Sequence, residues 1–290
     1  MKYLFFSLRP KQWIKNLFIF LPLIFGKKLF DFSVDLKAIT AFCLFSLASS
    51  IVYLINDIID FEEDKLHPMK RLRPIASGKT SIKLAKFAAL ILGIPCILLS
   101  FIVNVYFGWI VIAYILFNLV YSKILKRVVI IDILCIGGFF LLRIIAGSIV
   151  AGVQLSHWIL FMTILLALFL GLNKRRQELR ILGSRSTSHR SVLSKYRLYF
   201  IDQIIAVITS SIAVVYILYT VDARTTKEFG TENLMYSIPF VYYGIFRYLY
   251  LIHRIRNDGD PTRILVSDRM LQIDIALWAI VCVAVIYFKF

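Results

Sequence analysis

Nine apolar stretches of about bilayer-crossing length constrain this 290-residue chain more than any motif in it. They fall at 16–30, 38–59, 82–103, 106–122, 128–150, 157–173, 201–221, 234–252 and 271–288, the first being the shortest. A chain patterned this way reads as an all-α integral membrane protein of about nine transmembrane helices. Composition agrees: 60% of the residues are hydrophobic and mean hydropathy is +0.80, a bias that would leave a soluble domain covered in apolar patches. No second domain, internal repeat or low-complexity segment interrupts the pattern, so residues 1–290 read as one transmembrane domain.

The net charge of +17 would suit a nucleic-acid binder, but its distribution points elsewhere. The N-terminal segment and the loops near 60–83, 123–127, 174–197 and 247–269 hold 26 of the 34 Lys and Arg. The alternate loops carry only Lys27, Lys28, Lys37, Arg224 and Lys227. By the positive-inside rule the basic side, with the N-terminus, is expected in the cytoplasm, and an odd number of spans puts the C-terminus outside. Anionic lipid or a phosphorylated substrate is the second explanation for the excess charge. The apolar run Tyr3 to Phe6 is too short for a signal-peptide core, so the N-terminus is expected to be retained. Cys43, Cys96, Cys135 and Cys282 stand singly inside apolar runs and read as small buried side chains. Pro22, Pro95 and Pro239 fall inside spans, where they are expected to bend helices.

The stretch Tyr53-Leu-Ile-Asn-Asp-Ile-Ile-Asp-Phe-Glu-Glu-Asp64 runs carboxylates out of the end of the second span. At about 100° per residue Asn56, Asp60 and Asp64 share a face, with Asp57 beside them. Such an oxygen-rich face suits a hard cation, and Mg²⁺ is usually held by one or two carboxylates plus substrate phosphates. Acidic residues at a helix C-terminus also oppose the macrodipole, so compensating cations are expected. Lys65, His67, Lys70, Arg71, Arg73 and Lys79 follow directly, the last five around a Pro-bounded turn with small residues. A solvated helix end is the plain alternative.

Other polar residues cluster on the same basic side. In Arg9-Pro-Lys-Gln-Trp-Ile-Lys-Asn16, Trp13 suits headgroup depth, and Lys11 and Lys15 either anchor the chain or reach a phosphate. Tyr114, Asn118 and Tyr121 form a polar stripe that either glues helices or lines a cavity. Lys123, Lys126 and Arg127 come next, and then Asp132. Arg143, eleven residues on, returns to within about 20° of the Asp132 face and lies roughly 16 Å further along the helix. A cation at that depth should face a polar cavity or pair with a carboxylate on another helix. After the sixth span, Asn173-Lys-Arg-Arg-Gln-Glu178 opens the most basic loop, where Lys174 and Arg175 could hold lipid headgroups or a phosphorylated lipid. The stretch from Asn257 to Arg269 contains a turn that could serve as a lid.

Asn56-Asp57-x-x-Asp60-x-x-x-Asp64 within nine spans resembles the first aspartate motif of the UbiA superfamily of intramembrane prenyltransferases, which binds a diphosphate through Mg²⁺. Three further segments resemble one branch of it, the polyprenyl-phosphate phosphoribosyltransferases. They are Arg9 to Asn16, Asp64 to Gly78, and Tyr121-Ser-x-x-Leu-Lys126 leading to Asp132 and Leu142-Arg-Ile-Ile-Ala-Gly147. The resemblance implies a UbiA-like helical bundle around a central cavity open to the cytoplasm. One departure stands out. Where aromatic prenyltransferases of this superfamily carry a second aspartate-rich motif, this chain has Lys174-Arg-Arg-Gln-Glu-Leu-Arg180, with a single carboxylate.

One acidic motif and one basic counterpart suit one Mg²⁺–diphosphate ligand and one bare phosphate. The expectation is therefore an enzyme in a bacterial plasma membrane that moves a 5-phosphoribosyl group from phosphoribosyl pyrophosphate to a polyprenyl phosphate. Asn56, Asp57, Asp60 and Asp64 would hold Mg²⁺, and Asp132 would stabilise an oxocarbenium-like ribose. Lys70, Arg71, Arg73, Lys126 and Arg143 are the donor-phosphate candidates, with Tyr121 beside them. Lys11, Lys15, Lys174 and Arg175 are the acceptor candidates. The rivals are an aromatic polyprenyltransferase of the same fold and a transporter for an anionic metabolite.

Overall fold

The computed structural model describes residues 2–66, 69–182, 196–254 and 261–290, and every regular element among them is helical. A short helix α1 (Lys2–Ser7) leads into a 3₁₀ segment (Pro10–Phe20) and α2 (Leu21–Phe25). There follow α3 (Phe32–Ile59), α4 (Phe61–Leu66), α5 (Ile82–Val103), α6 (Val105–Lys123), α7 (Ile131–Ala151) and α8 (His157–Leu182). The chain ends with α9 (Leu198–Val221), α10 (Ala223–Phe229), α11 (Ile238–Arg254), α12 (Pro261–Ser267) and α13 (Arg269–Phe288). Seven of these, α3, α5, α6, α7, α8, α9 and α13, are long and apolar enough to cross a membrane, which makes this a multi-pass integral membrane protein.

The two remaining expected spans differ from plain helices. The stretch expected at 16–30 is built from the 3₁₀ segment and the short α2, and the one expected at 234–252 from a 3₁₀ turn (Asn233–Ser237) and the 17-residue α11. Proline explains both. Pro22 and Pro239 each occupy the first turn of a helix, where no backbone N–H is needed, so they start α2 and α11 instead of bending a longer helix. Pro95 alone lies in a helix interior, within α5.

The described residues gather into two compact units, one of residues 2–155 and one of residues 156–182, 196–254 and 261–290. In the first, α3 is central: Ala41, Phe45, Ala48 and Val52 pack with Phe107 and Val111 of α6 and with Ala146 and Val150 of α7. Side-chain caps set the helix starts. Asp31 accepts from Ser33 N and Val34 N at 3.2 and 3.4 Å, Ser81 from Leu84 N at 3.2 Å, and Asn104 from Tyr106 N and Phe107 N at 2.8 and 3.2 Å. Asn104 thereby turns α5 into α6 in a single residue. On α5, Phe87, Leu90, Ile94 and Leu98 point outward at helical spacing, a stripe suited to acyl chains. α7 ends at Gly152, whose φ of +64° closes the helix in the left-handed conformation that glycine adopts without strain.

In the second unit a buried polar knot joins three elements. Trp278 Nε1 of α13 donates to the Tyr216 hydroxyl of α9 at 2.8 Å, and that hydroxyl bonds Ser237 of the 3₁₀ turn at 2.6 Å. Satisfied in this way, the three polar groups can be buried at little cost.

Candidate active site

The C-terminal end of α3 and the turn after it bring the acidic residues to the cation-rich end of the first unit. Asp57 is 2% exposed, and its Oδ1 accepts from Arg9 and, at 3.2 Å, from Arg73 Nη1. Arg73 spans two carboxylates, because the same Nη1 lies 2.5 Å from Asp64 Oδ2. Asp60 Oδ1 accepts from Lys126 Nζ at 2.5 Å, and Asn56 Oδ1 from the Ser122 hydroxyl at 2.6 Å. Burial pushes the Asp64 carboxyl upward against the pull of Arg73 and Lys70. These are the compensating cations that the helix dipole and the clustered like charges require.

The open oxygen cage expected of Asn56, Asp57, Asp60 and Asp64 is not what the side chains form. Among the described residues no three His, Cys, Asp or Glu converge as a metal site; Arg9, Arg73 and Lys126 stand between the carboxylates instead. A guanidinium or ammonium satisfies a buried carboxylate as a metal would, so ligands spread over two helical turns relax onto cations. One atom is left over. Asp57 Oδ2 is buried and has no hydrogen-bond partner among the described residues. An orphaned carboxylate oxygen costs free energy unless a cation or donor meets it. A hard metal ion that takes one or two carboxylates and completes its shell with substrate phosphates fits this donor set.

Arg9 reaches the site from far upstream. It sits at φ +53°, ψ +59°, ahead of Pro10, and its guanidinium lies 4.9 Å from the centre of the Tyr53 ring. Burial, and next the like charge of Arg73, lowers its pKa below the ordinary arginine value. Of the lysines in that segment, Lys11 is exposed and Lys15 half-buried. Trp13 Nε1 donates to Ser50 of α3 at 2.9 Å, so this side chain is tied to the bundle as well as suited to an interface. Lys70 is half-buried near Asp64, whereas Arg71 is exposed. Asp132 is fully buried in the first turn of α7, and the Tyr121 ring packs edge-on to Phe139 at 5.4 Å.

Arg143 does not lie on a carboxylate. It is 3% exposed and donates from Nε to Asn16 Oδ1 at 2.7 Å, from Nη1 to the Phe139 carbonyl at 2.6 Å and from Nη2 to the Tyr114 hydroxyl at 3.1 Å. The rings of Phe45, Tyr114 and Phe140 surround it at 5.1–5.4 Å. Expected at a donor phosphate, it instead knots the 3₁₀ segment, α6 and α7 together through neutral partners.

In the second unit, Arg175 is 1% exposed and pairs with Glu178, and Arg176 pairs with Asp202. Lys174 beside them is half-buried. Arg180 and Arg197 are exposed, and Arg185, Arg190 and Lys195 lie outside the described residues. So do His67 and Pro68 of the basic run and the turn at 257–260.

Residues 17–270 match the model of the UbiA prenyltransferase family, well over half of the chain. The chain belongs to the UbiA prenyltransferase family. It is 30% identical to the decaprenyl-phosphate phosphoribosyltransferase of Mycolicibacterium smegmatis, over 98% of this chain and 92% of that one. It is also 30% identical to the Corynebacterium glutamicum enzyme of the same name, over 97% of this chain and 86% of that one. The fold matches a UbiA homolog from Archaeoglobus fulgidus bound to GPP and Mg²⁺ with a TM-score of 0.70, at 16% identity and 99% coverage of both chains.

Two residues of the candidate site were left without a role by the sequence, Ser122, which donates to Asn56, and Arg9. For Arg9 the available signal was its place immediately before Pro10 in the Arg-Pro-Lys-Gln-Trp stretch. Its contact with Asp57 spans 48 residues, a separation that local pattern does not bridge.

Proposed function

We propose that the protein transfers a 5-phosphoribosyl group from phosphoribosyl pyrophosphate to a polyprenyl phosphate and releases pyrophosphate. The observation that carries this reading is the 30% identity, nearly end to end, to decaprenyl-phosphate phosphoribosyltransferases. The geometry supports it. Asp57, Asp60 and Asp64 would hold Mg²⁺, which when bound neutralises charge on the departing pyrophosphate.

The chain's own residues do the rest. Arg73, Lys126 and Lys70, with Arg9, donate to donor phosphate oxygens once these compete with the carboxylates for them. The C1–O bond to pyrophosphate breaks ahead of attack, and the buried Asp132 carboxylate stabilises positive charge on the ribose. An oxygen of the lipid phosphate then bonds to C1. That phosphate is already an anionic nucleophile and needs no general base. Lys11 and Lys15 are its candidate partners, and Arg71 supplies long-range attraction for anions. The paired Arg175 orders the end of α8. The reaction would run on the cytoplasmic side of a bacterial plasma membrane, where the positive-inside rule expects the basic loops.

Radiolabelled phosphoribosyl pyrophosphate with polyprenyl phosphate, run beside polyprenyl diphosphate with 4-hydroxybenzoate, tests the assignment. Product is expected in the first arm, abolished by chelator and restored by Mg²⁺. Product only in the second arm would make the protein an aromatic prenyltransferase.

A further inference from the structure

The end of the first unit opposite the acidic cluster holds a cavity of about 240 Å³ that the proposed reaction does not use. It forms where four membrane-spanning helices start or stop: α3 begins at Phe32 and α6 at Val105, while α5 ends at Val103 and α7 at Ala151. Val34, Val103, Ile149 and Ala151 give it apolar walls, and Lys37 and Asn104 are the polar side chains that line it. Among the described residues no carboxylate lines the cavity, and Lys37 makes no hydrogen bond or ion pair. Asp35, the nearest acid along α3, is two positions away and so on another face, where it accepts from Phe30 N at 3.4 Å. Asn104 Oδ1 is committed to Tyr106 N and Phe107 N, which leaves its Nδ2 as a donor.

Depth, size and charge narrow the occupant. Between Lys37 and Asp57 the continuous helix α3 rises about 30 Å, about the thickness of a bilayer's hydrocarbon core. Lys37 therefore stands at the membrane surface opposite the acidic cluster. Tyr106 and Trp109, exposed in the first turns of α6, mark the same level, as interfacial aromatics do. Pockets that enclose a whole small molecule run to about 300–1,000 Å³, so this smaller one suits one end of a longer molecule whose remainder lies in the bilayer. An unpaired ammonium beside apolar walls calls for an anion joined to hydrocarbon. With no carboxylate present to receive an ammonium headgroup, a net anionic headgroup is favoured over a zwitterionic one. We infer that Lys37 and Asn104 form a site for an anionic membrane phospholipid. The headgroup phosphate accepts from Lys37 Nζ and Asn104 Nδ2, and the first carbons of an acyl chain lie on Val34, Val103 and Ile149. Bound there, the lipid touches the ends of α3, α5, α6 and α7 at once and holds them together.

Purified full-length protein in detergent is titrated with phosphatidylglycerol and, separately, with phosphatidylethanolamine. Native mass spectrometry counts the bound lipid for the wild type, Lys37→Met, Val34→Phe and Lys227→Met. The wild type should hold one phosphatidylglycerol, and more tightly than phosphatidylethanolamine. Lys37→Met loses the charge-assisted bond and Val34→Phe fills the apolar wall, so each should weaken phosphatidylglycerol about 10-fold, the scale of one lost hydrogen bond to a charged group. Lys37 is exposed and unpaired, so its replacement should leave folding intact. Lys227→Met removes an exposed cation elsewhere and should leave binding unchanged. Phosphatidylglycerol should also raise the unfolding temperature of the wild type and not that of Lys37→Met, because a ligand stabilises the state that binds it. Wild-type affinity for phosphatidylglycerol in either cavity variant, an equal loss in Lys227→Met, or equal binding of the two phospholipids would overturn the site. So would displacement of the lipid by inorganic phosphate, or retention of polyprenyl phosphate in its place.

Discussion

At the scale of single residues, the acidic end of α3 is proposed to work by competition between internal cations and incoming ligands. Asp57 is the centre of it, with two guanidinium groups on one oxygen and nothing on the other. Asp57→Asn keeps the shape and removes the charge, so transfer activity should fall by roughly 100-fold or more, the scale of losing a key electrostatic contact in a site. Turnover near the wild-type rate would reduce the cluster to a structural helix end. Arg143 makes the opposite case. Its replacement by Met would strand Asn16 Oδ1 and the Tyr114 hydroxyl in an apolar interior and should cost about 1–3 kcal/mol per unsatisfied group. Thermal unfolding of Arg143→Met, alone and with Asn16→Leu, checks this: the second change should recover part of the loss. An unaltered midpoint together with weakened donor binding would return Arg143 to the phosphate site. The residue types of the site were legible in the sequence, because Asn56, Asp57, Asp60 and Asp64 can share one helical face. Their partners were not, since Arg9 and Lys126 meet them across 48 and 66 residues of chain.

At the scale of elements, the least regular segment lies against the most closely approached helix. A Cβ on Gly147 of α7 would run into the backbone of Ile19, carbonyl oxygen first, so the 3₁₀ segment packs directly on the α7 backbone. Gly147→Ala must push that segment away and with it Asn16, a partner of Arg143. A destabilisation of about 1–3 kcal/mol is expected, the usual penalty of overpacking. The unfolding midpoint in detergent measures it, and a midpoint equal to wild type would mean that the approach is looser than the structure has it. Here the sequence was half legible. Hydropathy located the seven long spans, because length and composition alone define them. It also located α11 within the span expected at 234–252, but it missed the 3₁₀ turn before that helix and the 3₁₀ conformation of residues 10–20, because hydropathy does not register where a proline starts a helix.

At the scale of the whole molecule, two claims remain to be tested: which side of the membrane the site faces and what it makes. From the charge asymmetry Ser77 is expected in the cytoplasm and Thr231 outside. Single cysteines at these positions, with the native four replaced, should be labelled from opposite sides by an impermeant thiol reagent, and labelling from the same side would contradict the topology. At this scale the multi-pass character was legible because hydropathy is a global pattern, and the expected topology rests on the alternation of basic and charge-poor loops. The basic loop after α8 shows the limit: it reads as a row of equivalent cations, yet Arg175 and Arg176 are committed to Glu178 and Asp202. The direct test of the account is mass spectrometry of the lipid formed when the purified protein is given phosphoribosyl pyrophosphate, polyprenyl phosphate and Mg²⁺. The account predicts a polyprenyl phosphate heavier by one phosphoribosyl unit, with one pyrophosphate released per lipid converted; an unmodified lipid under conditions where the protein prenylates an aromatic acceptor would contradict it.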